Sequence, residues 1–448
     1  MHRVTVIGAG VSGKGLALLA RNLGYEVFVS EKKSINDETK SFFTENNIAF
    51  EEGHSPKVFD CDEILISSGI PPQSEILQEA AQKSVKFTGE LDFTIPRIRT
   101  QNLICVTGSN GKSTVTSLTG HVLNRAGLKA GTGGNLGTAS ALFTQEDFDA
   151  VVLELSSFQL ARATQNLRAK VSIITNLAPD HIDWHGSYEN YVEAKSRVLT
   201  LRDSIGWGII QDRDYDILKP SGKIIVLTWD SKPVHETEGY IHMGNDEAEL
   251  VINGTSSTLF KYTDTTLIGS HNLENVAMTL CAVKLLGIDI EGRAKSLLEG
   301  FKPLPHRCED AGTIDGVHYI DDSKGTNVAA TVTAMRSIKG RKIIILGGQG
   351  KGEDYAPLAE AVKSECEYAV LIGEEAGKIQ EALEREGFMN FRRASTMEDA
   401  VNISQSLAET GMVVLLSPAC TSWDMYKSYK ARGEHFCRIV REKTEHKS

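Results

Sequence analysis

Short, unbroken runs of Val, Ile and Leu recur along the chain, separated by stretches long enough for a helix. The clearest lie at 4–7, 63–66, 103–106, 150–155, 171–174, 342–346, 368–372 and 412–416. A strand with one wet face alternates apolar and polar residues. A continuous apolar run needs cover on both faces, the situation of a parallel strand between helices. The chain is therefore expected to be α/β, built on mostly parallel sheets. Residues 239–262 break this pattern with Thr-, Ser- and Asn-punctuated runs and are expected to form a small antiparallel insertion.

At roughly 150 residues per domain, 448 residues suggest three domains. The segment 92–96 precedes a fresh strand, and 301–305 carries two prolines that cannot continue a helix. The expected divisions are 1–92, 93–302 and 303–448, with the tail from 442 onward frayed. Forty-eight Lys and Arg against 59 Asp and Glu leave a net charge of −11, which argues against bulk binding of nucleic acid or an anionic membrane surface. There is no 18-residue apolar stretch and no secretory h-region at the N-terminus, so a cytoplasmic protein without membrane insertion is expected. The seven cysteines are scattered and form no CxxC, which suggests neither a disulfide framework nor a thiolate zinc site.

Three glycine-rich turns each follow an apolar run. The best anchored is Thr107-Gly108-Ser109-Asn110-Gly111-Lys112-Ser113-Thr114. Glycines let backbone N–H groups turn toward phosphate oxygens; Lys112 would neutralise them and the Ser113 hydroxyl would ligate Mg²⁺. The strict GxxxxGK[ST] pattern fails, because Val106 stands at its first glycine. Glu154 closes the apolar run 150–155, where a carboxylate is costly unless paired or bound to Mg²⁺ in the manner of a Walker B acid; the plain alternative is a strand-end carboxylate facing solvent. Gly8-Ala9-Gly10-Val11-Ser12-Gly13, with Glu31 ending the next strand, has the form of a dinucleotide fingerprint, though the same turn can hold any pyrophosphate or merely pack a helix on its strand. The third turn, Gly347–Gly352 in sequence, is equally well read as a flexible turn.

Other residues are oddly placed. Tyr188, Tyr191, Val192, Lys195, Val198 and Leu199 share one helical face, so Lys195 sits in an apolar stripe and must snorkel, pair or lose its charge. Snorkelling is the ordinary outcome. Asp180, His181, Asp183 and His185 crowd a loop after the strand at 171–174, where open α/β sheets bind ligands; His185 reads as a solvated loop histidine. His271-Asn272-Leu273-Glu274-Asn275 opens a helix, where capping is the plain reading of an Asn or His, and Asp321-Asp322-Ser323-Lys324 has the look of a charged turn. Cys420 has no local histidine partner and is rejected as a nucleophile.

The motifs TGSNGKST (107–114), GGNLG (133–137), LELSSFQL (153–160), TNLAPDHIDWH (175–185), HNLEN (271–275), PHR (305–307), DDSKGTN (321–327) and SPACTSWDMYKSYKARG (417–433) together resemble the Mur ligase family of cell-wall peptide-synthesising enzymes, over essentially the full length. LELSSFQL and SPACTSWD narrow the resemblance to the D-glutamate-adding members. The resemblance implies an N-terminal Rossmann-like domain, a central P-loop-type ATPase and a C-terminal Rossmann-like domain. It implies ATP and Mg²⁺ as cofactors, UDP-N-acetylmuramoyl-L-alanine and D-glutamate as substrates, and a monomer.

By the same resemblance, Ser12, Glu31, Gly69 and Asn135 lie near the sugar nucleotide. Residues 108–114 with Asn275, Arg307 and Asp322 contact ATP. Glu154 and His181, with Ser113 and Lys195, belong to the metal site, and Lys195 is carried as a carbamate. Lys112, His181, Lys195 and Lys324 serve catalysis, while Thr326, Lys351, Ser422, Trp423 and Tyr429 form the D-glutamate pocket. Gln349, Trp423 and Tyr429 stand where family members carry other residues. A nicotinamide oxidoreductase built on Gly8–Gly13 in sequence, a nucleotide-gated module without catalysis, and folylpolyglutamate synthase are the competing readings.

Overall fold

The structure, a computed structural model, describes residues 2–445 apart from 72, 268, 303 and 304 and the side chain of Asp183. The expected tail at 446–448 and the prolyl break at 303–304 thus lie outside the described residues. Within them the chain forms two compact units, one of residues 2–265 with 274–301, the other of 266–273 with 302–445.

The first unit holds two sheets. Strands β1 (Arg3–Ile7), β2 (Glu26–Glu31), β3 (Ala49–Glu52), β4 (Glu63–Ile66) and β5 (Phe87–Gly89) are all parallel, in the order β3-β2-β1-β4-β5. The order reverses at β1, which opens a crevice at the strands' C-terminal ends. The second sheet comprises β6 (Leu103–Thr107), β7 (Ala130–Gly134), β8 (Ala150–Glu154), β9 (Ala169–Ile174), β10 (Trp207–Gln211), β11 (Ile224–Thr228), β12 (Gly239–Met243), β13 (Glu247–Ile252) and β14 (Thr255–Lys261). Its order is β14-β13-β12-β11-β10-β9-β6-β8-β7. Every residue of β6, β8 and β11 is buried, as the continuous runs require, whereas β12 alternates buried and half-buried residues. The antiparallel part is therefore an extension of the central sheet: β12 adds parallel to β11, and β13 and β14 then fold back.

Segment 92–96 is a connection buried at Phe93, Thr94 and Ile95. Its helix Glu90–Thr94 and the 3₁₀ turn Ile95–Arg97 send Leu91 and Ile95 into the core under β6 and β8, and Phe93 into the core under β1 and β2. One short helix thus serves two cores, which is why both sheets belong to one unit.

The second unit has β15 (Glu309–Ile314), β16 (Val317–Asp321), β17 (Lys342–Gly347), β18 (Tyr368–Ile372), β19 (Phe391–Arg393) and β20 (Val413–Leu416), ordered β15-β16-β20-β17-β18-β19 with only β15 antiparallel. The last helix, Tyr429–Glu445, includes the described part, 442–445, of the segment expected to fray. Phe436, Ile439 and Val440 anchor it in the core beside Tyr319.

Candidate active site

The central glycine turn is held by backbone geometry before any ligand is considered. Gly108 has φ +142°, and a Cβ there would lie 2.0 Å from Thr175 Oγ1. Gly111, φ +81°, ends the turn in the left-handed region and starts the helix Lys112–Arg125. A Cβ on Gly111 would meet Asn275 Oδ1 at 2.6 Å, so the buried Asn275 sits against the turn. Ser109 N donates to Asn176 O at 2.9 Å and Asn110 N to Asn176 Oδ1 at 3.0 Å, fastening the turn to the end of β9. Lys112 Nζ donates to Gly108 O (2.8 Å) and Ser109 O (2.9 Å), which keeps a cation at the positive end of a 14-residue helix. Cation and helix terminus converge on one spot, a combination that favours a polyanion.

Glu154 ends β8 opposite Val106, the residue before Thr107. It is 2% exposed. Its Oε1 accepts from Asn135 Nδ2 at 2.8 Å, while Oε2 has no hydrogen-bond partner among the described residues. An orphaned buried carboxylate oxygen costs about 1–3 kcal/mol or more, an expense that a bound cation removes. Asn135 N also donates to Glu154 O at 2.8 Å, so Asn135 is tied to the carboxylate through both backbone and side chain.

Lys195, on the helix Tyr188–Thr200, does not snorkel. It is 2% exposed, its Nζ donates to Gly108 O at 2.7 Å and to Thr107 Oγ1 at 3.4 Å, and it lies 4.7 Å from the centre of the Tyr191 ring. Burial pushes its pKa well below the ordinary lysine value. The charge of Lys112 pushes the same way, and Asp180 and Glu154 oppose both. Tyr191 OH in turn meets Ser109 Oγ at 2.8 Å. The phosphate turn, the strand-end carboxylate and the helix lysine thus form one electrostatic group.

In the loop after β9, His181 has φ +53° and stands 3.6 Å from Asp180 Oδ2, with the Phe158 ring 4.8 Å away. His185 is buried, its Nε2 2.9 Å from Ser157 Oγ, which corrects its reading as a solvated histidine. The loop folds back on the 157–160 turn and so takes His185 out of water. The side chain of Asp183 is outside the described residues.

Around the first glycine turn, Ala9 N donates to Glu31 Oε2 at 2.9 Å, so this carboxylate braces the loop. A Cβ on Gly13 would lie 1.9 Å from Gly8 O, whereas one on Gly10 would meet nothing within 4 Å. Gly13 is there for packing; Gly10 leaves room beside the backbone. Ser12 is half-buried and Gly69 exposed. The helix Val11–Asn22 packs through Gly15 on Ala139 and Ala141, so the segment beginning at Asn135 links Glu154 to the helix of the first glycine turn.

In the second unit, the expected charged turn is buried. Asp321 and Ser323 are fully enclosed and Asp322 nearly so, because β16 and β20 pair through their last residues and carry the turn inside. Ser417 Oγ donates to Asp322 Oδ2 at 2.6 Å, and Cys308 N to Oδ1 at 3.3 Å. Burial nevertheless pushes the Asp322 carboxyl up to about 7, against the pull of Ser417 and Arg307. His306 Nδ1 lies 2.6 Å from Asp321 Oδ2, and that hydrogen bond raises the imidazole above its ordinary value. Burial, reinforced by the Arg307 charge, pulls His271 down to about 4. Lys324 Nζ stands 4.3 Å over the Tyr429 ring. Ser422 is buried, Thr326 half-buried, Lys351 exposed, and Trp423 is 71% exposed. Cys420 is buried and its thiol pushed up to about 11, in keeping with its rejection as a nucleophile.

One organising residue went unassigned in the sequence reading. Arg432 is 3% exposed and donates to Ser323 Oγ and O at 2.9 Å and to Cys420 O and Thr421 O at 3.1 Å. It clamps the 321–327 and 417–423 loops together. Its signal was the one that exposed Lys195: Arg432, Phe436, Ile439 and Val440 share a helical face, so a cation lies in an apolar stripe.

A glycine turn that opens a long helix beside a buried strand-end acid, in a mostly parallel sheet and with two further α/β sheets in the same chain, defines the class as an α/β protein of nucleotide-binding form. The family descriptions agree: the MurD N-terminal domain matches residues 3–76, the Mur ligase middle domain 106–283 and the Mur ligase glutamate ligase domain 306–420. The UDP-N-acetylmuramoylalanine–D-glutamate ligase of Bacteroides fragilis is 36% identical over 448 residues, covering 99% of this chain and 100% of that protein. Among solved structures, a pseudomurein peptide ligase type C from Methanothermus fervidus superposes with a TM-score of 0.60 at 17% identity, over 99% of this chain and 100% of that one. MurF ligase from Thermotoga maritima, solved in complex with ADP, gives 0.59 at 14%, over 94% and 96%. The chain belongs to the Mur ligase family.

Proposed function

We propose that this chain is an ATP-dependent, ADP-forming ligase that joins D-glutamate to UDP-N-acetylmuramoyl-L-alanine in peptidoglycan precursor synthesis. The full-length identity to the Bacteroides fragilis ligase of that name carries the reading, and the grouping of Lys112, Glu154 and Lys195 about one glycine turn supports it.

A carboxylate oxygen is too poor a leaving group for direct amide formation, so the substrate carboxyl takes the γ-phosphoryl of ATP to give an acyl phosphate. The D-glutamate amine then attacks and phosphate departs. The protein contributes positioning and charge compensation more than covalent chemistry. Lys112 and the backbone N–H groups of 108–114 take the phosphates; Asn275, Arg307 and Asp322 serve the nucleotide, and Lys324 lies near the transferred group. The orphaned Glu154 Oε2 suits a cation. Glu154, with Ser113 and His181, would hold Mg²⁺, which would supply positive charge beside the phosphates.

Lys195, whose burial disfavours the charged form, can add CO₂ at Nζ and lose a proton, giving a carbamate that joins the same group. Ser12, Glu31, Gly69 and Asn135 take the sugar nucleotide. Thr326, Lys351, Ser422, Trp423 and Tyr429 receive D-glutamate. We assign these roles to divisions at 1–92, 93–302 and 303–448 of a cytoplasmic monomer.

The test is phosphate release from ATP with UDP-N-acetylmuramoyl-L-alanine and a panel of D- and L-amino acids. Release that requires D-glutamate is expected. Release indifferent to the amino acid, or preferring an L-isomer, would overturn the assignment.

A further inference from the structure

A groove of about 870 Å³ opens along β5, the edge strand of the first sheet, away from the glycine turns. Leu77, Ala81, Phe87 and Pro96 make its apolar wall, and the Phe87 side chain is unusually exposed for an aromatic. Its polar side is unbalanced. The two carboxylates in the wall are already engaged. Glu63 accepts from Thr88 Oγ1 and from Lys86 Nζ at 2.9 Å, and Asp92 accepts from Thr164 N, Thr164 Oγ1 and Gln165 N at 2.6–3.1 Å.

The two guanidinium groups have no carboxylate among the described residues. Arg97 gives one N–H to Phe93 O at 2.5 Å and lies 4.2 Å from that ring, while Arg162 gives Nη2 to Ile70 O and leaves Nε buried with no partner among the described residues. A guanidinium keeps its charge under these conditions and seeks planar oxyanions. The volume falls within the range of small-molecule sites, which pair an apolar wall with a few fixed polar groups.

We propose that this groove is a second ligand site that takes a small organic carboxylate with an aromatic or apolar body, read by Arg97 and Arg162 and seated against Phe87 and Leu77. Because Arg162 is tied to Ile70, next to Gly69, the test is run with the primary sites filled. Calorimetric titration of the full chain, saturated with ADP and UDP-N-acetylmuramoyl-L-alanine, uses 4-phenylbutyrate as probe and 4-phenylbutan-1-ol as its neutral counterpart.

The acid is expected to bind at least tenfold more tightly than the alcohol. Arg97→Gln and Ala81→Trp, which fills the groove from an exposed position, should each weaken it at least tenfold, with phosphate release by the Ala81→Trp variant at the parent rate. Arg162→Gln should do the same if it folds; the other two variants decide the matter if it does not. Equal binding of acid and alcohol, binding untouched by Ala81→Trp, or no binding up to about 10 mM would overturn the proposal.

Discussion

The central and third glycine turns, 107–112 and 347–352, look alike in sequence: each follows a buried strand and mixes glycines with a lysine. Structurally they use glycine for different reasons. In the central turn Gly111 is itself the cap of a long helix, so the N–H groups of that helix and Lys112 face one point. In the third turn a Cβ on Gly347 would lie 1.8 Å from Ile372 O and one on Gly348 2.2 Å from Thr421 O, and the next helix begins only at Ala356. There the glycines let three backbone segments lie side by side, with Gln349 and Thr421 exchanging hydrogen bonds at 3.0 and 2.9 Å. Of these two turns, only the central one has a helix starting directly behind it, and that start is what gathers its N–H groups at one point.

The sharpest way to break this contrast is Lys112→Ala. It should lower ATP-dependent turnover on the order of 10²–10³-fold or more while leaving thermal stability unchanged; a parent-like kcat would remove the phosphate-turn assignment. Lys195→Ala should cost on the order of 10²-fold in kcat and recover partly with added short carboxylic acids. Full activity without rescue would eliminate the carbamate. In the third turn the prediction inverts. Gly347→Ala should destabilise the second unit by roughly 2 kcal/mol or more through its backbone clash, read by denaturant unfolding, and Gly10→Ala, with open space at its Cβ, should leave stability within about 0.5 kcal/mol.

The smallest effect is a pH signature that separates the units, read by amide exchange at Val106 and Ile320. Asp322 is held protonated up to about 7 against an ordinary 3.8, so the native state binds the extra proton between those values and stability of the second unit falls as pH rises through that window. His306, raised above 6.5, acts in the same direction at the upper end, its contribution lost as pH climbs through its native value. Lys195 does the reverse. Depressed below 10.5, it binds fewer protons folded than unfolded, so its contribution grows with pH up to that value. Slopes of one sign at both amides would refute this separation.

What could be read without coordinates was read through misplacement. Glu154 at the end of an apolar run and Lys195 in an apolar stripe declared themselves because an ionisable group in such a setting needs a reason to be there. Arg432 carries the same signal, but what it holds, the 323 and 420–421 loops, is brought to it only by the fold. Asp321 and Asp322 looked like solvent-facing charge because the turn's composition is polar, and only the pairing of β16 with β20 carries them inside. His185 misled for the same reason: a loop's composition does not say what the loop folds back upon.

Local order was therefore the province of the sequence. The parallel α/β class, the strands and the central glycine turn follow from periodicity and glycine placement, both of which act over a few residues. Which carboxylate is left with an orphaned oxygen, which lysine is pushed toward its neutral form, and which arginine clamps two loops were decided by tertiary structure. Burial and hydrogen-bond completion depend on neighbours tens to hundreds of residues away, as with Arg432 and Ser323, and no local pattern encodes them.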